Sequence, residues 1–154
     1  MEFSIGDKVM YPSRGAGRII GVEHQELVDG FEHYYVIRIH SKGLTLRVPM
    51  RKVRELGVRP VMPREKLARV WDILKSAPQH LAEDFKERQE QIRQKLQAGS
   101  PLAIAEVIRD LTWREQYAYL TKADSELLAR GRQLLADEMA LVMDKEIVEA
   151  EQMI

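Results

Sequence analysis

The chain has no cysteine, which excludes disulfides, thiolate metal sites and a cysteine nucleophile together. It has no long apolar run: nothing approaches the ~20 residues that a membrane helix needs, and the opening residues 1–8 lack the charged and apolar regions of a secretory leader. Net charge is missing too, since 24 Lys/Arg are matched by 24 Asp/Glu. The strongly basic footprint of an autonomous duplex-binding protein is therefore absent. His24, His33, His40 and His80 show no HExxH or similar metal spacing. Gly15-Ala16-Gly17 lacks the third glycine and the following helix of a phosphate loop, and no GxSxG or Ser/Thr-Lys motif is present. Neither catalysis nor a metal or organic cofactor is expected.

What is there describes a soluble, globular, cytoplasmic protein. The 154 residues are 45% hydrophobic and 31% charged, enough for one compact domain or two small ones. The balanced charge hides an asymmetry. Residues 1–60 hold 10 Lys/Arg against 7 Asp/Glu, a net +3, whereas residues 61–154 hold 14 against 17, a net −3. If the chain meets DNA, something else has to bring it there.

The first sixty residues read as strands: Val9-Met10-Tyr11, Arg18 to Leu27, Phe31 to Ile39 and Leu44 to Pro49, separated by glycine-bearing turns that include Asp29-Gly30. Short connections imply a small, strongly bent antiparallel sheet or barrel. A two-residue Asp29-Gly30 turn pairs Val28 with Phe31, and so Val22 with Ile37 and Ile20 with Ile39. It also sets His33 opposite Glu26, His24 opposite Tyr35 and Glu23 opposite Val36. Leu44, Leu46 and Val48 join the same apolar face only if they sit opposite Ile39, Ile37 and Tyr35. Arg47 then points away from the core, opposite Val36, where it suits either a protein contact or plain solvation.

The prolines of the 60–63 segment mark a boundary, and the period beyond them becomes helical. Leu67, Val70, Trp71 and Leu74 form one apolar stripe, and Ile104, Val107, Ile108 and Leu111 another. A helix over about 81–96 stops at Gly99, and Ser100-Pro101 opens the next. Thr121 and Asp124 resemble a capping box for a long helix that carries Gly131, and a short helix over 145–152 closes the chain. The fold class is α+β, with a sheet domain over 1–60 and four to five helices over 61–154.

Gly6-Asp7-Lys8-Val9-Met10-Tyr11-Pro12, with Gly15 and Gly17, then Arg47-Val48-Pro49, Lys52 and Gly57-Val58-Arg59, resemble the CarD/CdnL family of bacterial transcription regulators. Residues 104–111 and 129–141 are similar to its long helices, so the likeness runs through nearly the whole chain in order. The resemblance implies a Tudor-like N-terminal domain that binds the RNA polymerase β subunit. It also implies a helical domain that meets promoter DNA at the upstream edge of the bubble and stabilises the open complex. Arg47 and Pro49, with Val48 and Val36 beside them, fall at the polymerase-facing positions, and Gln25 occupies one that is basic in some relatives.

The main departure is at residue 85. The family's tryptophan, followed by a basic W-x-R-R-Y-[KR] run, is here Phe85-Lys86-Glu87-Arg88-Gln89-Glu90. Phe85 serves either as a wedge against an unstacked base step or as a packing residue four after Leu81 on one helix face. Lys86 and Arg88 would touch phosphates, whereas Glu87 and Glu90 would repel them. Trp113, Lys95, Arg130 and Arg132 complete the DNA candidates, and Trp71 is read as core. The expected partners are the polymerase and, weakly and only through it, promoter DNA. The chain is expected to be monomeric, away from membranes and on the nucleoid through the polymerase. One alternative is a polymerase-bound adaptor that recruits another protein through its helices; a second is an enzyme or small-ligand module.

Overall fold

Alternating apolar residues in the first part of the chain form five antiparallel strands in a computed structural model, which describes residues 2–28 and 30–154. The side chains of residues 25–28, 31 and 32 and all of Asp29 lie outside the described residues. The strands are β1 (Lys8–Tyr11), β2 (Gly15–Val28), β3 (Phe31–Ile39), β4 (Leu44–Pro49) and β5 (Arg59–Pro60), in the sheet order β4-β3-β2-β1-β5. The chain separates into two compact units, residues 1–61 and 62–154. It is thus an α+β protein, with a Tudor-like sheet followed by helices.

One face of the sheet holds the core of Val9, Ile19, Tyr35, Ile37, Ile39 and Val48, closed by Phe3, Val53 and Val58. Phe3 meets Tyr35 edge-on at 5.6 Å, and its backbone N–H donates to the Tyr35 hydroxyl at 3.1 Å. Gly17 is required where β2 crosses β3, because a Cβ there would lie 2.4 Å from the Arg38 carbonyl oxygen.

The β3–β4 register is the expected one: Leu44 opposite Ile39, Leu46 opposite Ile37, Arg47 opposite Val36 and Val48 opposite Tyr35. The β2–β3 register is not. Val28 pairs with Phe31, but irregularities between His24 and Val28 and between Ile19 and Gly21 slide the strands. Val22 therefore faces Tyr35, Gly21 faces Val36, and Gly17 rather than Ile20 faces Ile39. Glu23 lies opposite Tyr34 and His24 opposite His33, whose rings meet at 4.5 Å. Both causes are local: the irregularity between His24 and Val28 shifts the pairing by two residues, and Ile20 is an extra residue between Ile19 and Gly21 that inverts the side-chain alternation beyond it. Ile19 takes the core position and Ile20 is exposed.

The second unit contains α1 (Leu67–Lys75), α2 (Phe85–Ala98), α3 (Pro101–Tyr117), α4 (Lys122–Met143) and α5 (Ile147–Met153). The second helix starts four residues later than its apolar spacing suggests. The Asp84 carboxylate accepts from the Glu87 backbone N–H at 3.0 Å, a strong N-cap, and leaves Leu81 outside the helix. Leu81 and Phe85 consequently share no helix face. At the other end Gly99 adopts φ 73° and closes α2. The Thr121–Asp124 capping box of α4 is present in both directions, at 3.0 and 3.1 Å. Along α4, Leu128, Leu134, Leu135, Met139 and Val142 are buried. Within α1 only Val70 is fully buried, and Trp71 is half-buried.

Candidate interaction surfaces

β4 is an edge strand, so its outer row of backbone groups is not paired within the sheet. Arg47, in its middle, points away from the core. Its Nε and Nη2 donate to the Glu23 carboxylate at 2.7 and 3.3 Å, a fork that reaches across β3. The hydrogen bond to Glu23, and then its charge, push the Arg47 guanidinium above its usual pKa. A partner carboxylate would therefore compete with Glu23. Pro49 is half-buried at the strand end. Val48, only 3% exposed, packs in the core, and Val36, at 6%, is closed off on the Arg47 side. Neither valine offers its side chain to a partner, which corrects their expected place in the contact. The side chain of Gln25 lies outside the described residues.

On the helical unit, Phe85 is the first residue of α2 and is 52% exposed, with the Lys86 ammonium 6.0 Å from its ring centre. The ring protrudes because its neighbours are fastened. Arg88 lies one turn on and only 2% exposed. Its Nε and Nη2 grip Asp124 at 3.1 and 2.8 Å, and its Nη1 donates to the carbonyls of Ala82 and Glu83 at 3.2 and 3.0 Å. Burial alone would raise the Asp124 pKa. The hydrogen bond from Arg88, those from Thr121 and the Arg88 charge outweigh it, and the carboxyl stays below its ordinary value. Arg88 is thus a clamp and cannot reach a phosphate, a correction forced by its buried pairing.

Of the remaining candidates, Trp113 and Arg132 line one groove, which Lys95 and Arg130 do not. Lys95 is paired with Glu106 at 2.9 Å, Arg130 is half-buried, and exposed Arg132 donates to the Thr112 hydroxyl at 3.3 Å. Trp113 is half-buried, 4.6 Å from both His80 and Tyr117. Around Phe85 the charges are mostly acidic: Glu83, Asp84 and Glu87 against Lys86. The sequence reading missed Glu23 as the partner of Arg47, although it placed both beside Val36. It also missed Asp124 as the partner of Arg88, 36 residues away. Among the described residues, no group of three or more His, Asp or Glu could hold a metal, and no helix is long and apolar enough to cross a membrane.

Comparison with known proteins agrees with this architecture. Residues 3–62 match the CarD-like/TRCF RID domain and residues 69–154 the CarD C-terminal domain. The second match alone covers more than half of the chain, which therefore belongs to the CarD family of transcription regulators. It is also similar to YdeB of Bacillus subtilis (strain 168), a protein named provisionally as a transcription factor. The two are 28% identical over 140 residues, 91% of this chain and 92% of YdeB.

Proposed function

We propose that residues 1–60 dock on the β subunit of RNA polymerase and that residues 61–154 place Phe85 against promoter DNA at the upstream edge of the bubble, prolonging the open complex. The observation that carries this reading is the exposed ring of Phe85, on the first turn of a helix whose entry is fastened by a buried Arg88–Asp124 pair. A large apolar side chain left in solvent beside a fastened helix start is suited to an apolar contact that forms only with a partner. The exposed arginine on an edge strand gives the sheet unit a directional protein contact. The role is regulatory and non-enzymatic, and its setting is the cytoplasm.

The acidic surroundings of Phe85 favour a second reading, in which the ring receives another protein and the chain acts as an adaptor on the polymerase. Open-complex decay, measured with purified polymerase and a promoter fragment, separates the two. Shortened lifetimes for Phe85→Ala, with polymerase binding intact, support the DNA contact. Unchanged lifetimes point to the adaptor.

A further inference from the structure

We propose that the helical unit carries a binding groove for a free nucleoside phosphate, formed between the end of α1, the middle of α3, Arg132 of α4 and the last residues of α5. The groove has a volume of about 380 Å³, within the range of small-ligand sites. Trp71 and Trp113 both line it, with Ile108 adding apolar surface. Trp113 also meets His80 and Tyr117, each 4.6 Å from its ring, and it offers an aromatic surface to a planar base.

The polar side of the groove is cationic. Lys75, Arg109 and Arg132 line it, with no Asp or Glu side chain among the described residues; Ile154, the last residue, also lines it, so its terminal carboxylate is the one anionic group set against these cations. Arg109 is already bound, through Nε to Asp110 at 2.8 Å and through Nη1 to the Ser76 hydroxyl at 2.9 Å. Lys75 and Arg132 are solvent-exposed, and Arg132 donates to the Thr112 hydroxyl at 3.3 Å. Two cations beside two indoles match an anion with a flat aromatic body. A free mononucleotide fits better than a polynucleotide strand. The unit sums to −3, which repels an extended polyanion but acts weakly on a small ligand that meets only the local positive rim. The inference is independent of the promoter contact proposed above, because it needs neither polymerase nor Phe85.

The protein offers its own reporter. It has two tryptophans, and both line the groove. Adenosine monophosphate and guanosine monophosphate, added to the full chain, should quench tryptophan emission saturably, with calorimetry returning the same affinity. Lys75→Gln and Arg132→Gln, both at exposed positions, should each weaken binding by about tenfold, the scale of a charge-assisted hydrogen bond. Trp113→Phe should lower the quench and Trp71→Phe should retain part of it. Adenosine and inorganic phosphate should each bind more weakly than the mononucleotide. No saturable quench at millimolar mononucleotide, or one unaffected by both charge removals, overturns the proposal. So does equal binding of inorganic phosphate, which would leave no role for the base. Tighter binding of a twelve-residue oligothymidylate, or of an acidic peptide, would replace the free nucleotide by that ligand.

Discussion

At the residue scale, exposure and pairing divide the side chains that the sequence alone treats alike. Phe85 and Arg88 stand three apart in one short run, yet one faces solvent and the other is buried against Asp124. Their variants should therefore behave oppositely. Phe85→Ala should cost about 1 kcal/mol of stability or less, since half of the ring is already in water. It should nevertheless shorten open-complex lifetime by roughly five- to hundredfold, the worth of one base–aromatic contact. Phe85→Trp should keep or lengthen that lifetime. Thermal unfolding and promoter-complex decay, measured on both variants, check the pair of outcomes. Asp124→Asn should instead destabilise the unit by about 3–5 kcal/mol, because it leaves Arg88 buried without its counter-charge. The pH dependence has a definite sign. The folded Asp124 pKa is depressed, so its contribution is present above the unfolded value of about 3.9 and is lost as pH falls through the folded pKa. Unfolding free energy followed into acid should fall less steeply in Asp124→Asn than in the unmodified chain. Arg47→Glu should weaken polymerase binding on the order of thirtyfold or more, the scale for reversing an interfacial charge. It would also place like charges beside Glu23. Circular dichroism should be unchanged, as Arg47 lies off the core; undiminished binding in a competition assay would remove it from the contact.

At the element scale, caps and bulges decide where each segment begins and which way it faces. Apolar spacing alone draws α2 back to Leu81, but the Asp84 cap starts it at Phe85 and so puts the ring on an exposed first turn. A single extra residue in β2 reverses the alternation past Ile20, while β4 keeps its expected register, with Val48 buried, Leu46 half-buried and Leu44 exposed at the strand start. In α4, Gly131 stands where a helix ordinarily prefers alanine. A Cβ there would meet Ile108 at 3.5 Å, Leu96 at 3.7 Å and Val107 at 3.9 Å, all ordinary van der Waals contacts. Gly131→Ala should accordingly raise stability by about 0.5–1 kcal/mol, through a stiffer unfolded chain and a filled contact. A lowered denaturation midpoint would show that the helices around residue 131 need closer approach than the alanine permits.

At the scale of the whole molecule, charge separates the two units more sharply than fold does. The sheet unit carries +3 and the helical unit −3 when the chain is divided after residue 60. Arg88 is withdrawn into a buried pair and Lys95 is held by Glu106, so two of the cations expected on DNA are already paired. The free protein should therefore bind duplex DNA no better than the non-specific range of ~10⁻⁴ to 10⁻⁶ M at physiological salt. A weak contact gains its effect once docking on polymerase makes it intramolecular. Titration of a labelled promoter duplex checks this; nanomolar affinity without polymerase would contradict tethering and indicate an autonomous DNA-binding domain.

Much of this was legible in the residues themselves. The change of period after the 60–63 prolines, the α4 capping box, the stop at Gly99 and the inward face of β4 are all short-range patterns, set by periodicity and by caps that span a few residues. The family likeness was legible too, because its motifs are local strings. Three-dimensional structure decided what depends on distant partners. Arg88 is a clamp only because Asp124 arrives 36 positions later, and Arg47 is paired because β3 brings β2 and β4 to its two sides, with Glu23 opposite Tyr34 and Arg47 opposite Val36. Trp113 and Arg132 share one groove only because α3 packs against α4. A sequence carries the chemistry of each side chain, but burial and partnership belong to the packed chain, and those two properties determine which charge is structural and which is free to meet another molecule.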